Sequence, residues 1–411
     1  MLNLIRNFFK GLPFESIVQY GTSSIICQVL RLAGIAITTH YLRIEEFGVF
    51  AQITVCLGIC GILSGMGHHD GLIAYQGSDG RYFRFHFQMS LLIGLISISL
   101  LLFIAPHILG FDSPLLNYQL LGCGILLVEA IFPHFLIRAQ KSFRFKYTGV
   151  IDFCAVISWI LVIVIGLFKQ KGVELLLLAR FVEAAVRLVL LSAQYGWGNL
   201  KFCFDRDVFD YYKAPYFKNV PFRSVVDFLI VRMDILILSH FVSTSELGIY
   251  ERVQYFIQIS TSISVNLIDR VSMMSFSKMQ KNKESLKLAF NTSLRYVISA
   301  SLGATAMITI ALPWGLDYFV SKEISKSLLT LWYFSAAIAI FKPVAMMIGF
   351  LLLGIGCSKI LLEQNIWLLI TMLLLLCLLV PLYGIYGASS AISLSYLMVV
   401  VIQMRKVKKI L

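Results

Sequence analysis

The chain is a succession of long apolar runs separated by short polar segments. Twelve runs are long enough to cross a bilayer, at approximately 16–40, 47–67, 87–109, 115–137, 147–168, 173–194, 221–242, 247–273, 291–313, 327–353, 364–380 and 385–404. A crossing helix needs about 20 predominantly apolar residues. Residues 296–316 carry no formal charge, and residues 364–403 are uncharged throughout. Pro381 and Gly384 divide the last two runs and supply a turn. The runs are continuous, not alternating, so they predict helices and not the strands of a barrel.

Composition removes the soluble alternatives. Of 411 residues, 58% are hydrophobic and only 14% charged, too little polar surface to cover a soluble body of this size. A soluble enzyme, a secreted disulfide protein and a disordered tail are all excluded as readings of the whole chain. The eight cysteines lie mostly inside apolar runs with no C-x-x-C pair, and read as small packing residues. Met1–Lys10 reads as a retained interfacial segment, not a cleaved leader.

Net charge is +13, which in a soluble chain would point to nucleic acid. Here the basic residues sit between apolar runs. With the N-terminus in the cytoplasm, 22 Lys and Arg fall on inside segments, 5 on outside loops and 8 within spans. That asymmetry predicts both termini inside and no nucleic-acid partner. No loop exceeds about 30 residues, which leaves no room for an extramembrane catalytic domain. No phosphate-binding G-x-x-x-x-G-K occurs. The expectation is a protein that is not an enzyme, holds no cofactor or metal, and works within the bilayer.

An internal repeat organises the spans. His40-Tyr-Leu-Arg-Ile-Glu-Glu-Phe-Gly-Val-Phe50 recurs, 200 residues on, as His240-Phe-Val-Ser-Thr-Ser-Glu-Leu-Gly-Ile-Tyr250. His40/His240, Glu46/Glu246 and Gly48/Gly248 are identical. Each copy joins the first and second spans of a six-span half. An even number of spans makes the repeat parallel, with a pseudo-twofold axis along the membrane normal. The predicted fold is an all-α membrane protein of two six-helix lobes, 1–197 and 221–411, linked by an amphipathic cytoplasmic segment at 198–220. Two such bundles around a central cavity form an alternating-access layout.

The joints Glu46-Phe-Gly-Val-Phe50 and Glu246-Leu-Gly-Ile-Tyr250, with twelve spans, resemble the polysaccharide-synthesis branch of the multidrug/oligosaccharidyl-lipid/polysaccharide (MOP) exporter superfamily, which includes Wzx-type O-antigen flippases. The resemblance implies movement of an undecaprenyl-diphosphate-linked oligosaccharide between the leaflets of a bacterial inner membrane. It also implies contact with bilayer lipids and with the polymerase and glycosyltransferases of the same pathway.

Ionisable residues at bilayer depth are costly and mark candidate sites. Arg31 lies mid-span with no carboxylate within one turn in sequence, and Arg232 lies at a nearly equivalent depth in the second half. Lys342 precedes Pro343 in the tenth span. These three, with Arg187 as a further candidate, are the predicted anion-binding groups, since guanidinium forks suit a diphosphate. The competing reading pairs each with a carboxylate on a neighbouring helix. Arg180, Glu183 and Arg187 share one helical face, with Glu183 and Arg187 at the i, i+4 spacing of a salt bridge. Asp227, Asp234, Glu183 and Glu129 are candidates for ion coupling or charge balance, as is Asp152. Glu251-Arg252 and Asp269-Arg270 read as snorkelling or structural pairs. His68-His69-Asp70 and Asp205-Arg-Asp207 are weak metal-type patterns. The rival functions are a multidrug efflux transporter, which predicts an acidic cavity, and a membrane-embedded polysaccharide polymerase or glycosyltransferase, which predicts a large outer loop.

Overall fold

The computed structural model describes residues 14–62, 80–108, 116–141, 145–168, 172–196, 215–280 and 282–410. These form eleven helices: α1 Phe14–Tyr41, α2 Ile44–Gly61, α3 Gly80–Ile108, α4 Leu116–Lys141, α5 Phe145–Leu167, α6 Val173–Tyr195, α7 Pro215–Phe241, α8 Thr244–Met279, α9 Lys283–Phe319, α10 Lys322–Gly354 and α11 Ser358–Ile410. Helices α1 to α10 take the first ten apolar runs in order, and α11 takes the last two. Gly384, at φ 54° and ψ −131°, breaks α11. A side chain at Gly387 would collide with the carbonyl of Leu379, eight residues earlier. Eight residues of continuous helix span about 12 Å, so the chain folds back here as a hairpin of two spans. The positive φ suits a residue without a Cβ.

Eight of the helices are long and apolar enough to cross a membrane. The other three, α6, α7 and α8, fall short because their described residues are more polar, with several charges each. Pro133, Pro313, Pro343 and Pro381 lie within helices without ending them. Neighbouring helices make such breaks in the hydrogen-bond ladder tolerable.

The described residues fall into two compact units. One draws on Met1–Ala51 and Ile230–Leu411, the other on Gln52–Leu229. In the first, α1 packs against α8 and α9, and α10 packs against α8, α9 and α11. Its centre holds Trp332, whose Nε1–H donates to Thr309 Oγ1 at 2.9 Å, and a Ser335–Ser389 hydrogen bond of 2.8 Å. In the second, α4 packs against α3 and α6, and α5 against α6. Phe87, Ile131, Phe135, Ala139, Ile151 and Leu191 form an apolar core there.

The three identical residues of the repeat have local contacts that explain the motif. At the first joint, Glu46 Oε2 accepts from the Arg43 backbone N–H at 3.0 Å. At the second, Glu246 Oε2 accepts from the Ser243 N–H at 3.0 Å and its hydroxyl at 2.9 Å. Both glutamates cap the start of their helix by reaching back three residues. The glycines serve contact between the repeats. A Cβ on Gly48 would strike the carbonyl of Thr244, and one on Gly248 the carbonyl of Ile44. Residues 44 and 244 are themselves repeat equivalents, so the two joints cross one another reciprocally, within the first unit. Of the histidines, His240 Nδ1 reaches the Leu236 carbonyl at 2.9 Å, and His40 packs edge-on against Tyr41.

Candidate functional site

The buried charges of the first unit gather where α7, α8 and α10 meet. Asp234 is 5% exposed, and Tyr250 is fully buried. The two stand equally far from the α7–α8 joint at residue 242, so the helical hairpin brings them level. Tyr250 Oη donates to Asp234 Oδ2 at 2.6 Å, and the Ile235 N–H donates to Oδ1 at 2.8 Å. A carboxylate held by two donors is fixed in place. Arg232, two residues earlier, reaches Glu251 on α8, with Nη1 3.9 Å from Oε1. Lys342 enters from α10 and interacts electrostatically with both Asp234 and Arg232. Pro343 lacks an N–H, which leaves the Ala339 carbonyl without its helical donor beside this lysine.

Arg252 extends the cluster. Its guanidinium lies 3.6 Å from the centroid of the Phe47 ring and 4.8 Å from that of Tyr255. Glu251 and Arg252 are 4% and 3% exposed. Of the two readings of this pair, burial rules out snorkelling and leaves the structural one. Each is enclosed by the helices of the unit, with Arg252 held over aromatic faces. Arg31 is half-buried on α1, the helix that packs on α8 and α9, and has contacts of its own.

In the second unit the charges pair off. Arg180 places Nη2 2.7 Å and Nε 3.2 Å from Glu129 Oε1, joining α6 to α4. Arg187 Nη2 lies 2.8 Å from Glu183 Oε1, and its Nε lies 3.2 Å from Asp152 Oδ1 on α5. Asp227 is held by Arg223, four residues back, at 3.3 Å. The candidates thus separate by place: Arg232, Asp234 and Lys342 come together, whereas Glu129, Glu183, Arg187 and Asp227 sit in separate ion pairs. Counting the described side chains well inside the helices, the first unit holds Arg31, Arg232, Arg252, Arg295 and Lys342 against Asp234 and Glu251. That is a surplus of cations. The second unit has none at that depth, since Arg180, Arg187 and Arg223 face Glu129, Asp152, Glu183 and Asp227, while Arg84 and Arg138 lie within about a turn of a helix end.

Sequence reading missed Tyr250 as the partner of Asp234 and Glu251 as that of Arg232. Tyr250 stood in the repeat, and its equal distance from the joint was the signal that paired it with Asp234. Met1–Lys10, His68-His69-Asp70 and Asp205–Asp207 lie outside the described residues, as do 198–214 of the linker and the side chains of Asp269 and Arg270.

The long apolar helices, with the joint at residues 40–50 repeated at 240–250, are those of a multi-pass membrane protein. Solved structures share its fold. Lipid II flippase MurJ in an inward closed conformation superposes with a TM-score of 0.69 at 12% identity, over 95% of this chain and 87% of that one. A MATE transporter of Vibrio cholerae gives 0.67 at 12% identity, over 96% of each chain. An outward-facing multidrug resistance MATE family transporter of the MOP superfamily gives 0.65 at 14% identity, over 96% and 95%. The family model described as polysaccharide biosynthesis protein matches residues 39–323, and the chain belongs to that family. No curated protein sequence matches it.

Proposed function

We propose that the chain is a flippase that carries a polyprenyl-diphosphate-linked oligosaccharide, such as an O-antigen, capsule or exopolysaccharide unit, from the cytoplasmic to the outer leaflet of a bacterial inner membrane. The observation that carries this reading is the surplus of cations over carboxylates within the helices of the first unit. A diphosphate head group is multiply anionic, and guanidinium and ammonium groups recognise it by charge and by forked hydrogen bonds. Arg232 and Lys342 are the principal contacts, and Arg31 completes the set from α1. Asp234, fixed by Tyr250, holds the two cations in place against their mutual repulsion. Arg187, engaged by Glu183 and Asp152, has a secondary part. Membership of a polysaccharide biosynthesis family and the fold shared with a lipid II flippase support the lipid-linked substrate.

In this reading both termini are cytoplasmic and the moving bodies are the two lobes, 1–197 and 221–411, joined by the linker at 198–220. The sugar-diphosphate passes within the protein while the hydrocarbon chain stays in lipid. Polymerase and glycosyltransferases of the pathway are the partners. The same charge surplus weighs against a multidrug exporter of cationic compounds, because unlike charges favour binding and like charges oppose it.

The test is to delete the gene and locate the sugar-loaded polyprenyl diphosphate. It should accumulate in the cytoplasmic leaflet and be cleared by the wild type. Well-expressed Arg232→Ala and Lys342→Ala should each fail to clear it. Normal arrival in the outer leaflet with altered polymer length would instead make the protein a polymerase. Full rescue by both variants would remove the cluster from substrate binding.

A further inference from the structure

The second unit leaves two arginines without an acid. Arg84 lies about 6 Å along α3 from Gly80, and Arg138 about 4.5 Å along α4 from Lys141, at 1.5 Å per residue. The two helices pack against each other, and their register is set just deeper, where the Nδ1 atoms of His86 and His134 are 3.2 Å apart. That register puts both arginines at one end of the unit. Arg138 reaches across to α3, with its guanidinium carbon 4.8 Å from the ring centroid of Phe83, the residue before Arg84. Both arginines are half-buried, and Nε of Arg84 is closed off without a hydrogen-bond partner.

The chain gives these two no counter-charge among the described residues. There is no Asp or Glu in α3, none follows Glu129 in α4, and none precedes Asp152 in α5. The other described arginine side chains of the unit each hold a carboxylate. Arg180 has Glu129, Arg187 has Glu183 and Asp152, and Arg223 has Asp227. Those acids are thereby engaged. Like charges on adjoining helices repel, and partial burial weakens the screening that water provides. What this end lacks is an anion from outside the chain.

We propose that Arg84 and Arg138 form a second anion site, which takes the diphosphate of a lipid-linked sugar at the level of the cytoplasmic head groups before the sugar moves inward. The inference rests on the flippase reading and on cytoplasmic termini, and it names a site apart from Arg232 and Lys342. Depth supports it. The 29 residues of α3 make a helix about 43 Å long, the full thickness of a bilayer with its head groups. A residue about 6 Å from its start therefore lies among head groups, as does the diphosphate of a lipid in the inner leaflet. Charge supports it as well. A diphosphate diester carries a charge on each of two adjacent phosphates, and each guanidinium fork can take one. Phosphatidylglycerol offers a single phosphate, and diphosphatidylglycerol holds its two apart on a glycerol.

For the test, the full chain in zwitterionic nanodiscs is given a prenyl-diphosphate disaccharide with a photoreactive group beside the diphosphate. In the wild type, crosslinks should appear within residues 80–88 and 134–141. A map lacking both would overturn the site. Equilibrium binding of the same probe is then measured in an Arg232→Ala, Lys342→Ala background, which isolates the pair. Adding Arg84→Gln or Arg138→Gln should weaken binding about tenfold or more, because each removes a charged hydrogen-bonding group. Arg138→Lys keeps the charge and loses the fork, and should fall between. Unchanged affinity in all three, or displacement of the probe by phosphatidylglycerol or diphosphatidylglycerol at equal concentration, would overturn the assignment. The two possible failures separate. If the background binds nothing, Arg84 and Arg138 are not a site, and the flippase reading stands on the first unit. If the background binds as the wild type does and the Arg84 and Arg138 changes abolish binding, the pair stands and the first-unit contacts fail.

Discussion

The reciprocal crossing at the two joints sets up a sharp stability experiment. Replace Gly48 and Gly248 by alanine, singly and together. At Gly48 the new Cβ would lie 2.9 Å from Thr244 Cγ2 and 3.0 Å from the Thr244 carbonyl carbon, and closer still to its oxygen. At Gly248 it would lie 2.9 Å from the Ile44 carbonyl carbon and 3.3 Å from the Gly48 nitrogen. Ordinary van der Waals contact begins near 3.4 Å. The obstructing atoms are mostly backbone, so relief requires moving one helix off the other. Overpacking of this kind costs about 1–3 kcal/mol per site. Because a single separation of α2 from α8 relieves both collisions, the double variant should cost less than the sum, with a coupling on the order of 1 kcal/mol. The control is Gly303→Ala on α9, where nothing lies within 4 Å. There, helix propensity should leave stability unchanged or raise it by up to about 1 kcal/mol. Reversible unfolding in mixed micelles reads all four variants. If Gly248→Ala is as stable as Gly303→Ala, or the two joint variants add without coupling, the crossing is not as described.

The remaining predictions concern individual contacts. Glu129→Arg and Arg180→Glu should each lower thermal stability, and the two together should restore it by re-forming the α4–α6 pair in reverse; tolerance of either single change would refute the pairing. Tyr250→Phe removes a hydrogen bond to a buried carboxylate and should cost about 1.5–3 kcal/mol, with most of the loss absent in an Asp234→Asn background, as measured by a double-mutant cycle in unfolding. Gly384→Ala should destabilise the last helical hairpin by roughly 1–2 kcal/mol, because its φ of 54° opposes a Cβ. A stability equal to wild type would place the turn elsewhere.

Much of the architecture was legible because the bilayer imposes a simple rule. A segment in lipid must satisfy its backbone internally, so an apolar run of sufficient length announces a helix. The ten helices α1 to α10 and the break of α11 at Gly384 follow from that rule. The repeat was legible too, since the identical glutamates and glycines recur at a fixed offset. What each does was not. Glu46 and Glu246 cap their helices by local bonds, a pattern sequence can suggest. Gly48 and Gly248 work through one another across 200 residues, and only folding puts their backbones in contact.

The charged residues divide along the same line. The chain alone determines that Arg31, Arg232, Lys342 and the buried carboxylates lie at bilayer depth, and that Glu183 and Arg187 share a face one turn apart. It does not determine which acid answers which base. Arg180 found Glu129 from 51 positions away, and Lys342 came to Asp234 across more than a hundred. Nor did periodicity reveal His86 and His134, because a histidine in an apolar helix has no mark of its partner. Pairing of buried polar groups depends on rotation and depth of separate helices, which are fixed by side-chain packing between them and not by spacing along any one. The tertiary structure therefore decided where the cations remain in surplus, and with it where an anion has reason to bind.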